Sequence, residues 1–202
     1  MGIGLDIKEV LQDVGVKYNV IGGASSEYLI YESNAQVTKP FIREFFLEVW
    51  FSYDTTVNAG DVVQFVETSE SFLVMHHSPD IVEDEIIKYD SVLYKCNVSG
   101  ELLRPSGESG WDSDYNKSTS WEVIRSACYG LQVENLYGGG LEEEEELGEL
   151  DVEKHTGYFP TSYNIQVNDR YQVQSGEYYR VENVIRYRFP AVDIVVLGED
   201  TR

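Results

Sequence analysis

The stretch AGDVVQFVETSESFLVMHHSPDIVEDEIIKYDSVLYKCN, residues 59–97, decides the fold, because its pattern returns near the end of the chain. The second copy is VNDRYQVQSGEYYRVENVIRYRFPAVDIVVLGEDTR, residues 167–202. Each copy opens a strand on an aspartate (Asp61 and Asp169), crosses a short polar turn into a second strand and ends in a further apolar strand. Runs of this kind, bounded by turn residues, are typical of antiparallel strands. The sequence therefore predicts one β-meander pattern made twice, with few identities between the copies.

A meander of three or four strands leaves one sheet face and two edges uncovered, so it needs a second sheet or closure into a barrel. We therefore predict an all-β fold in which antiparallel meanders form small barrels or a sandwich. Hydrophobic residues make up 42% of the 202 residues, which is enough for a core. One short N-terminal helix is predicted from Asp6 to Val14, with Asp6 as its N-cap and Gly15 as its stop.

Composition divides the chain into three parts. Residues 1–104 hold the helix and the first meander, and residues 121–202 hold the second. Residues 105–120 are rich in Ser, Gly and Asp, which predicts an exposed connection between the two. An acidic run at 141–153 is predicted to be a solvated loop, because dense like charges repel one another. This candidate acidic loop includes Glu142, Glu143, Glu144, Glu145 and Glu146.

The segment REFFLEVWFSYD, residues 43–54, alternates between an apolar face and a face that carries Phe46 and Trp50 among polar groups. Large aromatic side chains on an outer face suggest that another subunit covers it. Phe46 and Trp50, together with Trp111 and Trp121, are therefore the candidate interface residues. A sugar-stacking platform is the alternative interpretation of the three tryptophans.

A search for catalytic chemistry finds no nucleophile elbow, zinc-protease motif, P-loop or dinucleotide fingerprint. His76 and His77 are adjacent, so on a strand they point to opposite faces and do not chelate one metal. Consecutive glutamates likewise do not converge on one Ca²⁺ ion. Cys96 and Cys128 have no metal-binding spacing and are expected to be reduced thiols, with a disulfide between them left open. We expect no enzymatic activity, no cofactor and no metal.

The formal net charge is −21. That charge argues against a sequence-independent grip on nucleic acid, which needs Lys and Arg to displace counterions, and against binding to anionic lipid. An acidic wall would instead let DNA slide past. The start MGIGLDIKEVLQDVG lacks the pattern of a signal peptide, and no window of 18 apolar residues is present. The expectation is a protein made in the cytoplasm that does not bind membranes.

The end of the chain resembles head-completion, or head–tail connector, proteins of tailed bacteriophages. The earlier segment GDVVQF through LYKCNVSGELLRP also looks like phage minor virion proteins, and the resemblance covers about two thirds of the chain. The acidic run at 141–153 has no counterpart in it. The pattern at the C-terminal end is carried by Asp169, Arg170, Gly176, Tyr179, Val181, Pro190, Leu197, Asp200 and Arg202.

The resemblance implies a structural virion protein that forms a homo-oligomeric ring, six- or twelvefold, in the neck between head and tail. Its expected partners are the portal or an adaptor protein above and a tail terminator or the tail tube below, with DNA passing without specific binding. A tail terminator or baseplate component is the nearest alternative. A carbohydrate-binding β-sandwich, a tail-associated depolymerase and a free-standing immunoglobulin-like domain are the others.

Overall fold

The computed structural model describes residues 2–23, 25–31, 46–111, 117–134, 155–174 and 176–200. Of residues 107–111, 117, 118, 134 and 174 it describes the backbone alone. No helix in these ranges has the length and apolar character needed to cross a lipid bilayer. The elements are α1 Ile3–Val14, β1 Val16–Val20, β2 Ser26–Tyr31, β3 Phe46–Ser52, β4 Val62–Phe65, β5 Ser71–Val82, β6 Glu85–Lys95, β7 Val98–Trp111, β8 Lys117–Glu134, β9 His155–Pro160, the 3₁₀ turn Thr161–Tyr163, β10 Arg170–Gln174, β11 Glu177–Ile185 and β12 Val192–Glu199.

The strands form two closed antiparallel barrels of six strands each. The order around the N-terminal barrel is β1-β2-β3-β6-β5-β4, and the order around the C-terminal barrel is β10-β11-β12-β9-β8-β7. Each barrel is thus a three-strand meander followed by a second three-strand meander. In both barrels the first strands of the two meanders pair with each other, and so do the last strands. The predicted all-β class is confirmed, and the architecture is two barrels of one topology.

The predicted N-terminal helix is present but begins earlier than expected. Its N-cap is Gly2, and Asp6 lies inside the helix rather than at the cap, so the capping prediction was wrong. The predicted stop is correct, because the Gly15 amide donates to the Leu11 carbonyl at 2.9 Å. Leu11 is the buried residue of the helix.

The barrels divide between Lys95 and Val98, where β6 ends and β7 begins. Residues 98–104 therefore belong to the C-terminal barrel, and residues 105–120 are not a connection between barrels. The described ones, 105–111 and 117–120, lie in the outer part of the β7–β8 hairpin, where Pro105 pairs with Trp121 and Ser109 with Thr119 around an irregular register. The candidate acidic loop, Glu142 to Glu146, lies outside the described residues.

Each barrel encloses its own hydrophobic core, and a third cluster lies between the barrels. The N-terminal core holds Tyr18, Leu29, Val49, Phe51, Val57, Val63, Phe65, Phe72, Val74 and Leu93. The C-terminal core holds Leu102, Cys128, Phe159, Tyr163, Ile165, Tyr171, Val181, Val195 and Leu197. The inter-barrel cluster holds Val62, Leu73, Met75 and Val192, with Tyr94, Tyr129, Tyr158 and Phe189 packed against them.

The two cores obtain their large aromatic ring from different strands. In the N-terminal barrel, Tyr18 of β1 is fully buried and its ring lies edge-on to Phe51 at 5.3 Å. In the C-terminal barrel, Tyr171 of β10 fills the core and lies edge-on to Phe159 at 5.1 Å. Gly100 of β7 leaves room for it, since a Cβ there would lie 3.1 Å from the Tyr171 ring.

Candidate functional site

The two aspartates that open the repeated pattern make the same turn in both barrels. Asp61 Oδ2 accepts from the Asn58 amide at 2.8 Å, and Asp169 Oδ2 accepts from the Gln166 amide at 2.8 Å. The residue before each aspartate has positive φ, +86° at Gly60 and +73° at Asn168, which is a conformation that glycine and asparagine tolerate best. The repeat read from the sequence is therefore a repeat of structure.

Backbone hydrogen bonds show that the strands after the two aspartates are also equivalent in the two barrels. The carbonyls of Asp61 and Asp169 accept from Val74 and Val181, both at 2.9 Å. The register then shifts at the same place in both barrels, between Val74 and His76 and between Val181 and Asn183. The copies end alike, because Cys96 donates to the Ser71 carbonyl and Asp200 donates to the Tyr178 carbonyl. Val62, Leu73, Met75 and Cys96 thus occupy the positions that Arg170, Arg180, Glu182 and Asp200 occupy in the C-terminal barrel.

The N-terminal barrel packs against the C-terminal barrel through the outer surface formed by Val62, Leu73, Met75 and Cys96, which we call its front face. Val62, Leu73 and Met75 are buried there with Val192. The Tyr94 ring lies edge-on to Tyr158 at 5.9 Å. A Cβ on Gly60 would lie 2.4 Å from the Ala191 carbonyl oxygen, so the backbones of the two barrels approach as closely as glycine allows.

The front face of the C-terminal barrel is charged where that of the N-terminal barrel is apolar. Arg170 pairs with Asp200 at 2.8 Å, and its guanidinium lies over the rings of Trp121 at 4.0 Å and Tyr178 at 4.8 Å. Arg180 pairs with Glu182 at 3.2 Å, with side-chain exposures of 42% and 25%. The Arg170–Asp200 pair is buried, whereas Arg180 and Glu182 are partly open to solvent. The face is rich in arginine and aromatic rings. It carries the candidate residue Trp121.

The surface that receives the front face, which we call the back face, also exists in both barrels. In the C-terminal barrel it is formed by Tyr158 and Val192. The strand registers place Trp50 and Lys88 at the equivalent positions of the N-terminal barrel. The Lys88 Nζ lies 4.1 Å from the centroid of the Trp50 ring and 2.6 Å from an Asp90 carboxylate oxygen. The predicted interface residue Trp50 therefore lies on a half-exposed surface whose structural copy already holds the two barrels together.

The other predicted interface residues fall in different places. Phe46 lies edge-on to Tyr94 at 6.1 Å, and Tyr94 contacts Tyr158, so Phe46 extends the aromatic packing between the two barrels. Trp111 ends β7, and its side chain lies outside the described part of the chain. Trp50 thus lies on the back face of the N-terminal barrel and Trp121 on the front face of the C-terminal barrel, so the two rings do not form one cluster. A cation lies over each ring, Lys88 over Trp50 and Arg170 over Trp121.

An arginine–carboxylate pair with no local signal in the sequence anchors the C-terminal turn. Arg104 donates from Nε and Nη2 to both oxygens of Asp169 at 2.8 Å, and also donates to the Asn164 carbonyl at 2.9 Å. The Asp169 side chain is 1% exposed. The hydrogen bonds to Asp169 raise the pKa of the Arg104 guanidinium.

A half-buried carboxylate ties strands β1 and β2 to the turn after β3. Glu27 accepts from the Tyr18 hydroxyl at 2.7 Å, the Thr55 hydroxyl at 2.6 Å and the Thr56 hydroxyl at 2.6 Å. Burial acts to raise the pKa of Glu27, but these hydrogen bonds outweigh it and hold the pKa below its ordinary value. Burial likewise raises the pKa of the Tyr18 hydroxyl. The arrangement satisfies its own members and stabilises the barrel end.

Within the described ranges, no group of three or more His, Cys, Asp and Glu residues could hold a metal ion. Cys96 and Cys128 are free thiols, and burial raises the pKa of each to about 12. A shallow groove of about 450 Å³ between β7, β8 and β10 has small and polar walls, with Glu101 and Tyr129 as its titratable lining residues. Within the described chain, the front and back faces therefore remain the candidate functional surfaces.

Comparison with known proteins returned no match for this chain among family models, curated proteins or solved structures.

Proposed function

We propose that this chain is a non-enzymatic structural protein of a tailed bacteriophage. In this proposal it is a ring-forming head–tail connector subunit that joins the portal or an adaptor to the tail. The observation that carries the proposal is the pair of barrels of one topology, joined through Cys96 and Asn97 and packed on a shared cluster of apolar side chains. Such a unit offers repeated outer faces to its neighbours.

The chemistry of the chain supports an assembly role beside DNA. Two arginines of the C-terminal barrel, Arg104 and Arg170, are neutralised by Asp169 and Asp200 and so are not available to grip phosphate. The net charge of −21, multiplied around a ring, would repel the DNA backbone and let the duplex pass. The proposed place of work is the neck of the virion.

The signature that carries the resemblance also has structural roles in this chain. Asp169 closes the turn, Gly176 has φ +94° in the β10–β11 turn, and Arg170 of β10 pairs with Asp200, which follows β12. These roles account for the residue types in physical terms. They support a shared barrel design, and they apply equally to a tail terminator or a baseplate subunit, which is why the test must separate head-side from tail-side binding.

The test is multi-angle light scattering of the purified chain, then negative-stain imaging with portal-bearing particles and, separately, with tail tubes. Rings on the portal-bearing particles support the connector proposal. Stacking on tail tubes alone would move the protein to the tail terminator class. A monomer that ignores both particles, and whose tryptophan fluorescence is quenched by glycans, would refute the proposal and favour a sugar-binding module.

A further inference from the structure

Two equivalent hairpins of the barrels end in turns of opposite charge. The β5–β6 hairpin of the N-terminal barrel and the β11–β12 hairpin of the C-terminal barrel occupy the same place in the shared topology. Residues 81–86, IVEDEI, which we call the acidic tip, carry three acids, and residues 185–188, IRYR, which we call the basic tip, carry two arginines and a tyrosine. Every residue of both tips is exposed. The tips therefore remain accessible after each barrel has formed its core and the two barrels have packed together.

The acidic tip projects from its barrel as a ribbon of two strands. β4 pairs with β5 only near the start of β5, and β3 pairs with β6 from Lys88 onward, so close to the turn each strand pairs only with the other within the described chain. Ile81 pairs with Ile86 across the ribbon, which places two apolar side chains on one face. The turn residues Glu83 and Asp84 have positive φ, +50° and +65°. Asparagine and glycine suit such a turn best, so the turn geometry itself does not account for two acids there.

The basic tip borders a groove of about 310 Å³, which is lined by Gln166, Val167, Val184, Arg186 and Tyr187. The Tyr187 side chain is fully exposed. Arg186 donates to the Ile165 carbonyl at 2.7 Å and lies 3.6 Å from an Asp193 carboxylate oxygen, so it is held within the chain and serves as a wall of the groove. The Arg188 side chain makes no hydrogen bond or ion pair with any described residue. Arg188 is therefore the cation that this tip offers to a partner.

We propose that the acidic tip of one copy of this chain docks on the basic tip of a second copy. The apolar pair Ile81 and Ile86 enters the groove, and the carboxylates of Glu83 and Asp84 lie beside Arg188. Two different surfaces of the chain meet, so the contact is heterologous, and contacts of that kind close into rings or extend into filaments. The proposal deepens the ring proposed above and rests on it, because it names the surfaces through which neighbouring subunits meet.

Shape and charge both favour a second copy as the occupant. The acidic tip is a projecting ribbon with apolar side chains, whereas the basic tip offers a groove with apolar walls at Val167 and Val184. The side chains of Glu83 and Asp84, like that of Arg188, make no hydrogen bond or ion pair with another described residue. Docking therefore breaks no existing ion pair. Both tips are exposed in the single chain, so the contact lies between copies.

The overall charge of the chain makes this contact selective. Copies with a net charge of −21 repel one another in most orientations, and a local meeting of opposite charges favours the one orientation that brings the two tips together. Tyrosine and arginine, which the basic tip presents as Tyr187 and Arg188, are among the residues most enriched at interface centres.

Charge exchange between the tips tests this contact. Glu83→Arg and Arg188→Glu each bring like charges together, and each should weaken self-association by about tenfold or more. The chain with both substitutions restores opposite charges in reverse order and should regain the native association constant to within about threefold. A role of either residue in the stability of its own barrel would not produce this rescue. The measurement is analytical ultracentrifugation over a concentration series, with the same samples imaged on portal-bearing particles.

Matched controls separate the contact from the change in net charge. Glu67→Arg and Lys17→Glu make the same changes in charge at exposed positions near the β4–β5 turn, which lies at the end of β5 opposite the acidic tip, and both should leave association unchanged. If Arg188→Glu fails to fold, Tyr187→Ala replaces it, because it removes a fully exposed ring and should weaken association by about fivefold or more.

Three outcomes would overturn the proposed contact. Rings that neither single charge reversal weakens, or a double variant without rescue, would overturn it and leave the connector proposal standing. Binding of a short DNA duplex that Arg188→Glu abolishes, with self-association unchanged, would assign the basic tip to nucleic acid instead. Absence of self-association under all conditions, with portal-bearing particles included, would overturn both the contact and the connector proposal.

Discussion

Replacing Gly60 by alanine tests whether the two barrels are held together at the closest approach of their backbones. The new Cβ would lie 2.4 Å from the Ala191 carbonyl oxygen and 2.8 Å from the Ala191 Cβ, so one barrel must shift. Gly60 also has φ +86°, where a side chain adds strain. We expect a loss of unfolding free energy of about 2–5 kcal/mol, from about 1–2 kcal/mol of backbone strain and about 1–3 kcal/mol of overpacking.

Gly22 provides the matched control for this measurement. It has φ +90°, but no heavy atom lies within 4 Å of the position that a Cβ would take there, so Gly22→Ala carries the backbone strain without the contact. Urea unfolding of both variants, followed by tryptophan fluorescence, gives the two losses from the shift in midpoint. Gly60→Ala should lose about 1–3 kcal/mol more than Gly22→Ala. Equal losses would refute the reasoning that backbone contact at Gly60 fixes the barrels to each other.

Three further predictions concern polar groups that are buried or half-buried. Glu27 has a folded-state pKa below its ordinary value of 4.5, so its contribution to stability is full above pH 4.5 and is lost as pH falls through the folded pKa. The difference in unfolding free energy between the native chain and Glu27→Gln should therefore shrink in acid. A difference that stays constant with pH would contradict this. Arg104→Met leaves Asp169 buried without its partner and should cost about 3–5 kcal/mol in urea unfolding, whereas a loss below about 1 kcal/mol would show that water replaces the guanidinium. Cys128 is buried and should react with a thiol reagent at pH 8 only as fast as the chain unfolds, and its rapid labelling in the folded protein would refute that burial.

The fold could be predicted from the sequence where turn residues mark the start of a strand. Asp61 and Asp169 open their strands through a turn that they themselves close, so the pattern of aspartate, strand and turn carries the repeat directly. The β7–β8 hairpin was missed because residues 105–120 are rich in Ser, Gly and Asp, which predicts a loop. Cross-strand pairing such as Ser109 with Thr119 overrides that local signal, and pairing of this kind is not visible in composition.

The candidate faces were only partly predictable for the same reason. Trp50 was found because a large ring on the polar side of an alternating strand is a local signal. Arg104 and its partner Asp169 are 65 residues apart in sequence, so the local sequence around neither residue indicates the ion pair. The charged character of the C-terminal front face depends on the pairing of Arg170 with Asp200, 30 residues apart, and becomes visible only when the two barrels are compared position by position.

Two barrels of one topology in one chain create a hazard during folding, because the first meander of one barrel could pair with the second meander of the other. The unequal placement of the core tyrosines opposes this error. A hybrid of β1–β3 with β10–β12 would force Tyr18 and Tyr171 into one core and overpack it, at a cost of about 1–3 kcal/mol or more. The reciprocal hybrid would set Gly100 beside Val63 and leave a cavity where a ring belongs. Because the core tyrosine comes from a different strand in each barrel, only the native combination of meanders fills each core, and this favours the native pairing.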